Sequence, residues 1–295
     1  MKSIILAGGS GSRLYPLTQV ASKQLQAVYD KPMIYYPLTV LMAAGVREVC
    51  LISTAGDLPR FQQLLGDGSL WGINIDYREQ SRPEGIAQSF LIADDFIADD
   101  SVVLMLGDNI FSGGDNFPSA MQQFEQGAAI FAYHVKDPER YGVVEFDRFG
   151  NALSLEEKPE RPRSSYAVPG IYIYDNQVVN IARNLTPSRR GELEITDVNL
   201  EYLRRGNLKV HRLSRGFVWL DAGTSSALQE ASSYIETIER RQGVKIGCPE
   251  EAALVRGFIT LDQFETLVAK MPDCEYRSYL TIVAAETRGL EGLRA

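Results

Sequence analysis

Short apolar runs rich in Ile, Val and Leu recur along the first 106 positions, at 3–7, 49–53, 73–77 and 102–106. Apolar runs of that length between turn residues read as strands buried on both faces. Between them, apolar residues at three- and four-residue intervals predict helices over 33–44, 58–65 and 86–97. Strand and helix in alternation define an α/β fold with a mainly parallel, Rossmann-like central sheet and helices on both faces. Such sheets bind ligands outside the carboxyl ends of their strands, where this chain places two chemically rich loops at 8–13 and 107–111.

After Gly127 the texture changes. Shorter strands are predicted at 129–135, 142–146, 152–156 and 171–174, with a turn over 147–151. Helical spacing returns at 177–184 and 195–204, followed by an extended stretch over 208–220. From 224 onward the chain reads as helical, and Ser232 to Arg241 has the spacing of an amphipathic helix closing the core. These shifts divide the chain into a core over 1–224, itself split near 126, and a helical region over 225–295 for packing or oligomerisation.

Composition narrows the choices. The 295 residues carry 30 Lys plus Arg against 38 Asp plus Glu, a net charge of −8, which argues against broad nucleic-acid binding. No apolar run approaches the roughly 20 residues that span a bilayer, and the apolar opening is broken at once by Gly8 and Gly9, so no membrane partner and a cytoplasmic location are expected. Three cysteines without a C-x-x-C pair predict neither a disulfide framework nor a zinc knuckle. The two histidines, His134 and His211, lie in apolar stretches and read as strand residues rather than metal ligands.

The strongest chemical feature is Leu6-Ala7-Gly8-Gly9-Ser10-Gly11-Ser12-Arg13-Leu14, directly after the first strand. Three glycines in four positions let successive backbone N–H groups turn inward and form a nest for anionic oxygens, and Arg13 adds a cation. A dinucleotide fingerprint needs a small residue where Leu14 stands, which excludes a dehydrogenase. A Walker loop needs Gly-Lys where Arg13-Leu14 stands. Lys23 is a second candidate cation. Two apolar strands end in carboxylates, Leu106-Gly107-Asp108-Asn109 and Trp219-Leu220-Asp221. Brought together beside a phosphate nest, two such acids suit Mg2+, which takes a few carboxylates and fills its remaining positions with water and phosphate oxygens.

These blocks, together with Ser22-Lys23-Gln24-Leu25, Asp137-Pro138-Glu139-Arg140-Tyr141-Gly142, Glu156-Glu157-Lys158-Pro159 and Arg190-Gly191-Glu192-Leu193, resemble the sugar-1-phosphate nucleotidylyltransferases from residue 1 to about 250. The resemblance implies a nucleotide half over about 1–126 and a sugar-binding half over about 127–224. It implies that Gly8, Gly11, Ser12, Arg13 and Gln24 hold the phosphates or base, that Gln80 and Gly85 flank the base, and that Lys23 sits on the triphosphate. Asp108 and Asp221 would bind Mg2+, with Asn109 beside the sugar. Tyr141, Gly142, Glu157 and Val168 would line the sugar site, while Lys158 and Arg190 would hold the sugar's phosphate. Arg13, Lys23, Asp108, Lys158 and Asp221 would be the catalytic set.

The implied substrates are dTTP or another nucleoside triphosphate and glucose 1-phosphate, with the product feeding deoxysugar synthesis. A homotetramer and a second, regulatory nucleotide-sugar site are also implied. A phosphate monoester is largely dianionic at neutral pH, its second pKa being about 6, so the attacking group needs no general base. The alternatives are a UTP-using or other sugar-1-phosphate nucleotidyltransferase, or an inactive relative that binds nucleotide-sugar.

The chain departs from the family's usual residues at several points. Ser12 replaces Thr, Gln26-Ala27 replaces Leu-Pro, Arg82 stands for Pro, Pro169 for Thr, and Ala222-Gly223-Thr224-Ser225-Ser226 for Thr-Gly-Thr-His-Asp. Gln26-Ala27 is expected to loosen a turn near Lys23, and Pro169 removes a backbone donor beside Val168.

Overall fold

The computed structural model describes residues 1–9, 11–114 and 116–294; Ser10 of the glycine loop, Asp115 and the terminal Ala295 lie outside the described residues. The first half runs β1 (Lys2–Leu6), a two-residue hairpin β2 (Ala27–Val28) and β3 (Lys31–Pro32), α1 (Tyr35–Ala43), β4 (Glu48–Ser53), α2 (Leu58–Leu65) and β5 (Asn74–Glu79). It continues through α3 (Gln88–Ile92), α4 (Asp94–Ile97), β6 (Val102–Leu106), β7 (Asn109–Ser112) and α5 (Asn116–Gln122). Then follow β8 (Ala128–His134), β9 (Gly142–Phe146), β10 (Ala152–Glu157), β11 (Tyr166–Ala167) and β12 (Ile171–Tyr174). Helices α6 (Gln177–Arg183) and α7 (Ile195–Arg204) precede β13 (Leu208–Arg212) and β14 (Val218–Asp221). Four helices close the chain: α8 (Ser225–Gln242), α9 (Pro249–Val255), α10 (Leu261–Ala269) and α11 (Glu275–Arg294).

Ten strands form one sheet in the order β10-β9-β11-β8-β12-β6-β1-β4-β5, with β13 beside β8. The predicted parallel α/β unit is the block β6-β1-β4-β5. β12 joins it antiparallel to β6, and antiparallel pairing then carries the sheet into the second half of the chain. Strand order reverses direction at β1, with β4 on one side and β6 on the other. The carboxyl ends of β1 and β6 at that point open a crevice, and both candidate loops leave from it.

The buried runs alternate between two faces, as a pleated strand requires. Ile5, Val49, Leu51, Val103 and Met105 pack with α1 and with Phe264, Leu280 and Val283 of the C-terminal helices. Ile4, Cys50, Ile52, Val102 and Leu104 pack on the opposite face with Phe90, Val178 and Val198. The helical region after 224 thus shares the core of the sheet's first face. Both histidines are strand residues, as expected: His134 ends β8 and His211 lies in β13.

Two readings are corrected. Residues 107–111 are not a loop throughout, because Asn109–Ser112 forms β7 and pairs antiparallel with β14. The extended stretch over 208–220 is two strands in different sheets, β13 on β8 and β14 on β7.

A buried ionic cluster ties the β2–β3 hairpin to α8. Glu239, from the last turns of α8, accepts from Lys31 Nζ at 2.8 Å, Lys245 Nζ at 2.9 Å and the Ile246 amide at 2.9 Å. Asp30 contacts the same two ammonium groups. Burial pushes the Asp30 carboxyl up, but hydrogen bonds from Lys245 and Lys31 outweigh it and hold the group below the usual carboxylate range. A depressed folded pKa stabilises the protein above the unfolded value of about 3.9 and loses that contribution as pH falls through the folded value. Urea midpoints measured for wild type and Lys245→Met should therefore differ most near pH 7 and converge below about pH 4. A constant difference down to pH 3 would remove Asp30 from the account.

Candidate active site

The crevice at the ends of β1 and β6 is a cleft of about 370 Å3. Its walls include Gly8, Arg13, Lys23, Gln24, Gln80, Gly85, Asp108, Asn109, Tyr141, Gly142, Glu157, Lys158, Val168 and Asp221. The two acids come from distant parts of the chain. Asp108 follows β6, and Asp221 ends β14, which lies opposite Asn109 in the β7–β14 ribbon. The Ala222 amide donates to the Asp108 carbonyl at 3.1 Å, closing the ribbon beside both carboxylates.

Their electrostatics are unequal. Burial raises the Asp108 carboxyl, but the Lys23 ammonium, which contacts it directly, more than offsets this and keeps the group below the ordinary range. Burial raises Asp221, and the neighbouring Asp108 charge raises it further; Arg13, Lys23 and Arg140 pull against both. A carboxyl raised by burial and by a neighbouring carboxylate is relieved by a cation placed beside the two. Arg13 also abuts this pair: a Cβ built on Gly223 would fall 2.8 Å from Arg13 Nη2 and 3.0 Å from Asp221 Oδ1.

Asn109 organises the acids' surroundings. Its Oδ1 accepts from Trp219 Nε1 at 2.6 Å and from the Gly170 amide at 3.0 Å, and its Nδ2 donates to Asp108 Oδ1 at 3.0 Å. Trp219 packs against Tyr141 with ring centroids 4.9 Å apart. Burial, then the Asp221 charge, pushes the Tyr141 hydroxyl up to about 12, so it is a hydrogen-bond donor at neutral pH.

Where the glycine loop meets Gln80, a Cβ on Gly8 would lie 2.3 Å from Gln80 Oε1, so only glycine lets Gln80 lie this close to the loop. Gln80 Nε2 donates to Gln88 Oε1 at 2.7 Å. Gly85, at φ +108°, passes 2.4 Å from the Leu193 carbonyl measured from the same imagined Cβ. Gln24 lines the cleft and is buried, and its Oε1 has no partner among the described residues.

On the cleft wall around Glu157, its Oε2 accepts from Thr196 Oγ1 at 2.5 Å. Gly142 packs against the same Thr196 and Glu157 oxygens, which explains the missing side chain. Lys158 is held in the left-handed region at φ 44°, a conformation disfavoured for lysine that is tolerated where a site fixes its backbone. Its amide donates to the Tyr141 carbonyl at 3.0 Å.

Three expected residues lie off the cleft wall. Gly11 sits beneath Thr18, whose Oγ1 donates to the Gly11 carbonyl at 3.0 Å, and Ser12 opens the following turn. Arg190 is turned onto carboxylates, reaching Glu194 at 2.7 Å and Glu157 and Glu192 at 3.3 Å each. Arg140, Thr196, Trp219 and Glu192 line the cleft without having been singled out. Arg140, Glu192 and Trp219 belong to the sequence blocks that carry the family resemblance, and only the fold brings them to the cleft wall. Among the substituted positions, Ala222 is fully buried, Arg82 is exposed, and the Pro169 carbonyl accepts from Ile171 at 2.8 Å. Gln26 does not loosen its turn: its amide donates to the Leu17 and Ala21 carbonyls at 3.2 and 3.0 Å.

A parallel-sheet crevice with a glycine loop, two facing acids and several cations is a phosphoryl-transfer architecture. The chain belongs to the nucleotidyl transferase family, whose model matches residues 2–238. It is 55% identical over 282 residues to the glucose-1-phosphate thymidylyltransferase of Mycolicibacterium smegmatis, covering 95% of this chain and 98% of that protein. A crystallised Bacillus anthracis protein assigned as glucose-1-phosphate thymidylyltransferase, in complex with sucrose, superposes with a TM-score of 0.74 at 42% identity, over 79% of this chain and 94% of that one. UDP-glucose pyrophosphorylase complexed with UDP-glucose shares the fold at a TM-score of 0.72 and 20% identity, over 80% and 98% of the two chains.

Proposed function

We propose that the protein joins dTTP and glucose 1-phosphate to give dTDP-glucose and pyrophosphate. The observation that carries the reading is the pairing of Asp108 with Asp221 between Arg13 and Lys23 at the sheet's switch point. Relatives of that name at 52–55% identity over nearly the whole chain support the choice of substrates.

A phosphate oxygen of the sugar attacks the α-phosphorus in line. The new P–O bond forms as the bond to the β-phosphate oxygen breaks, and pyrophosphate leaves. Gly8 and the neighbouring loop amides face the triphosphate, and Arg13 and Lys23 neutralise the departing pyrophosphate. Lys158 orients the attacking phosphate, and Glu157 meets sugar hydroxyls. Arg190 acts here through Glu157, which it braces. Gln24 Oε1 offers its open acceptor to the incoming substrate.

Buried Asp108 and half-buried Asp221 fit a hard divalent cation that completes its shell with water and phosphate oxygens. Asp108 and Asp221 would hold Mg2+, which supplies charge neutralisation between the two anions when bound.

A pyrophosphate-release assay over dTTP, UTP, CTP and GTP against glucose-, galactose- and mannose-1-phosphate tests the proposal. The expected result is fastest release from dTTP with glucose 1-phosphate, abolished by EDTA and restored by Mg2+. Preference for UTP would move the protein to the neighbouring activity, and no release from any pair would make it a binding relative.

A further inference from the structure

Residues 15–22 form a strap that crosses the glycine loop and joins Arg13 to Lys23, the two cations of the nucleotide end. The strap has little core of its own. Tyr15, Leu17 and Val20 are exposed, and its regular structure is a single 3-10 turn over Leu17–Gln19. Side chains therefore have to hold it. Thr18 Oγ1 donates to the Gly11 carbonyl at 3.0 Å, and the Ser22 amide donates to Asp57 Oδ1 at 3.1 Å. The third tie comes from Gln26, whose Nε2 reaches both the Leu17 carbonyl at 3.2 Å and the Ala21 carbonyl at 3.0 Å. Two carbonyls on one amide nitrogen fix which end of the side chain is the donor. Gln26 itself is anchored, because its carbonyl accepts from Met33 at 3.0 Å and its amide donates to the Lys23 carbonyl at 3.1 Å.

We infer that Gln26 is a positioning residue, clamping the strap so that Arg13 and Lys23 are presented together to the triphosphate. Leucine, a side chain of similar size, could make neither bond. The inference rests on the nucleotide-binding reading of the cleft, but its first test does not. In Gln26→Leu, a substitution of similar size, amide hydrogen exchange over residues 15–21 should quicken at least about tenfold, because two side-chain anchors of an exposed segment are gone. Gln26→Glu, which keeps the shape and places an acceptor against two carbonyls, should do the same.

The Kd for dTTP with Mg2+, measured calorimetrically without sugar phosphate, should rise about fivefold or more in both variants. The Kd for glucose 1-phosphate should stay within about twofold. A general loss of structure would move both constants and quicken exchange across the sheet as well, and that result overturns the inference. Unchanged exchange over 15–21 overturns the clamp, and quickened exchange with an unchanged dTTP Kd overturns the positioning role. Wild-type protein that ignores dTTP would instead overturn the functional reading, leaving the exchange comparison to decide the clamp.

Discussion

Asp108→Asn should lower turnover at least about a hundredfold while the protein stays folded, the range seen when a key electrostatic stabiliser is lost from a closed site. The substitution keeps the shape and can keep the contact from Asn109 Nδ2. What it removes is charge, in two places at once. Lys23 loses the carboxylate it rests on, and Asp221 loses the neighbour whose charge helps hold its own carboxyl above the ordinary range. The Asp221 carboxyl should then ionise more readily, but one acid offers a divalent cation half the anchorage. The decisive measurement is kcat against Mg2+ concentration, with circular dichroism to verify the fold. Saturating metal should recover only part of the loss, since the missing charge also shaped the cleft. Turnover within a few fold of wild type would place the chemistry elsewhere.

The second large effect concerns stability. Glu239→Ala should cost about 3–5 kcal/mol in urea unfolding, the usual consequence of removing one partner from a buried ionic group. Its side chain is 3% exposed and accepts three hydrogen bonds. After truncation, Lys31 and Lys245 must share Asp30 alone, and the Ile246 amide is left without its acceptor. The apolar double variant Lys31→Met/Glu239→Leu should recover much of the loss, because desolvation of the pair nearly cancels its attraction. If the single variant costs less than about 1 kcal/mol, water reaches the cluster and its burial is overstated.

Strands β1, β4 and β6 were legible because they are short apolar runs buried along most of their length, whereas β5 is an edge strand that buries only Ile75 and was read as more buried than it is. The glycine loop and Asp108 were legible because they follow such strands directly. β7 was not, because it opens with Asn109 and its partner β14 lies far along the chain. No local pattern announces a ribbon whose halves are that remote. Gln26 misled for a different reason. Replacement of a Leu-Pro pair suggests a looser turn when judged by backbone stiffness alone, whereas the glutamine side chain restores the restraint by hydrogen bonding. Arg190 shows the remaining gap: its place in a motif gave its neighbourhood, but only coordinates reveal that three carboxylates already hold it.

The ribbon that joins the acids also sets a schedule. Trp219 and Asn109 are 110 residues apart, and their bond forms only when β14 reaches β7. A ribosome making this protein supplies Asp108 well before Asp221. Until β14 is added, Asp108 has no second acid beside it and Asn109 has no Trp219 to accept from. Any proteolytic product ending before Val218 lacks the ribbon and, with it, the second acid of the cleft.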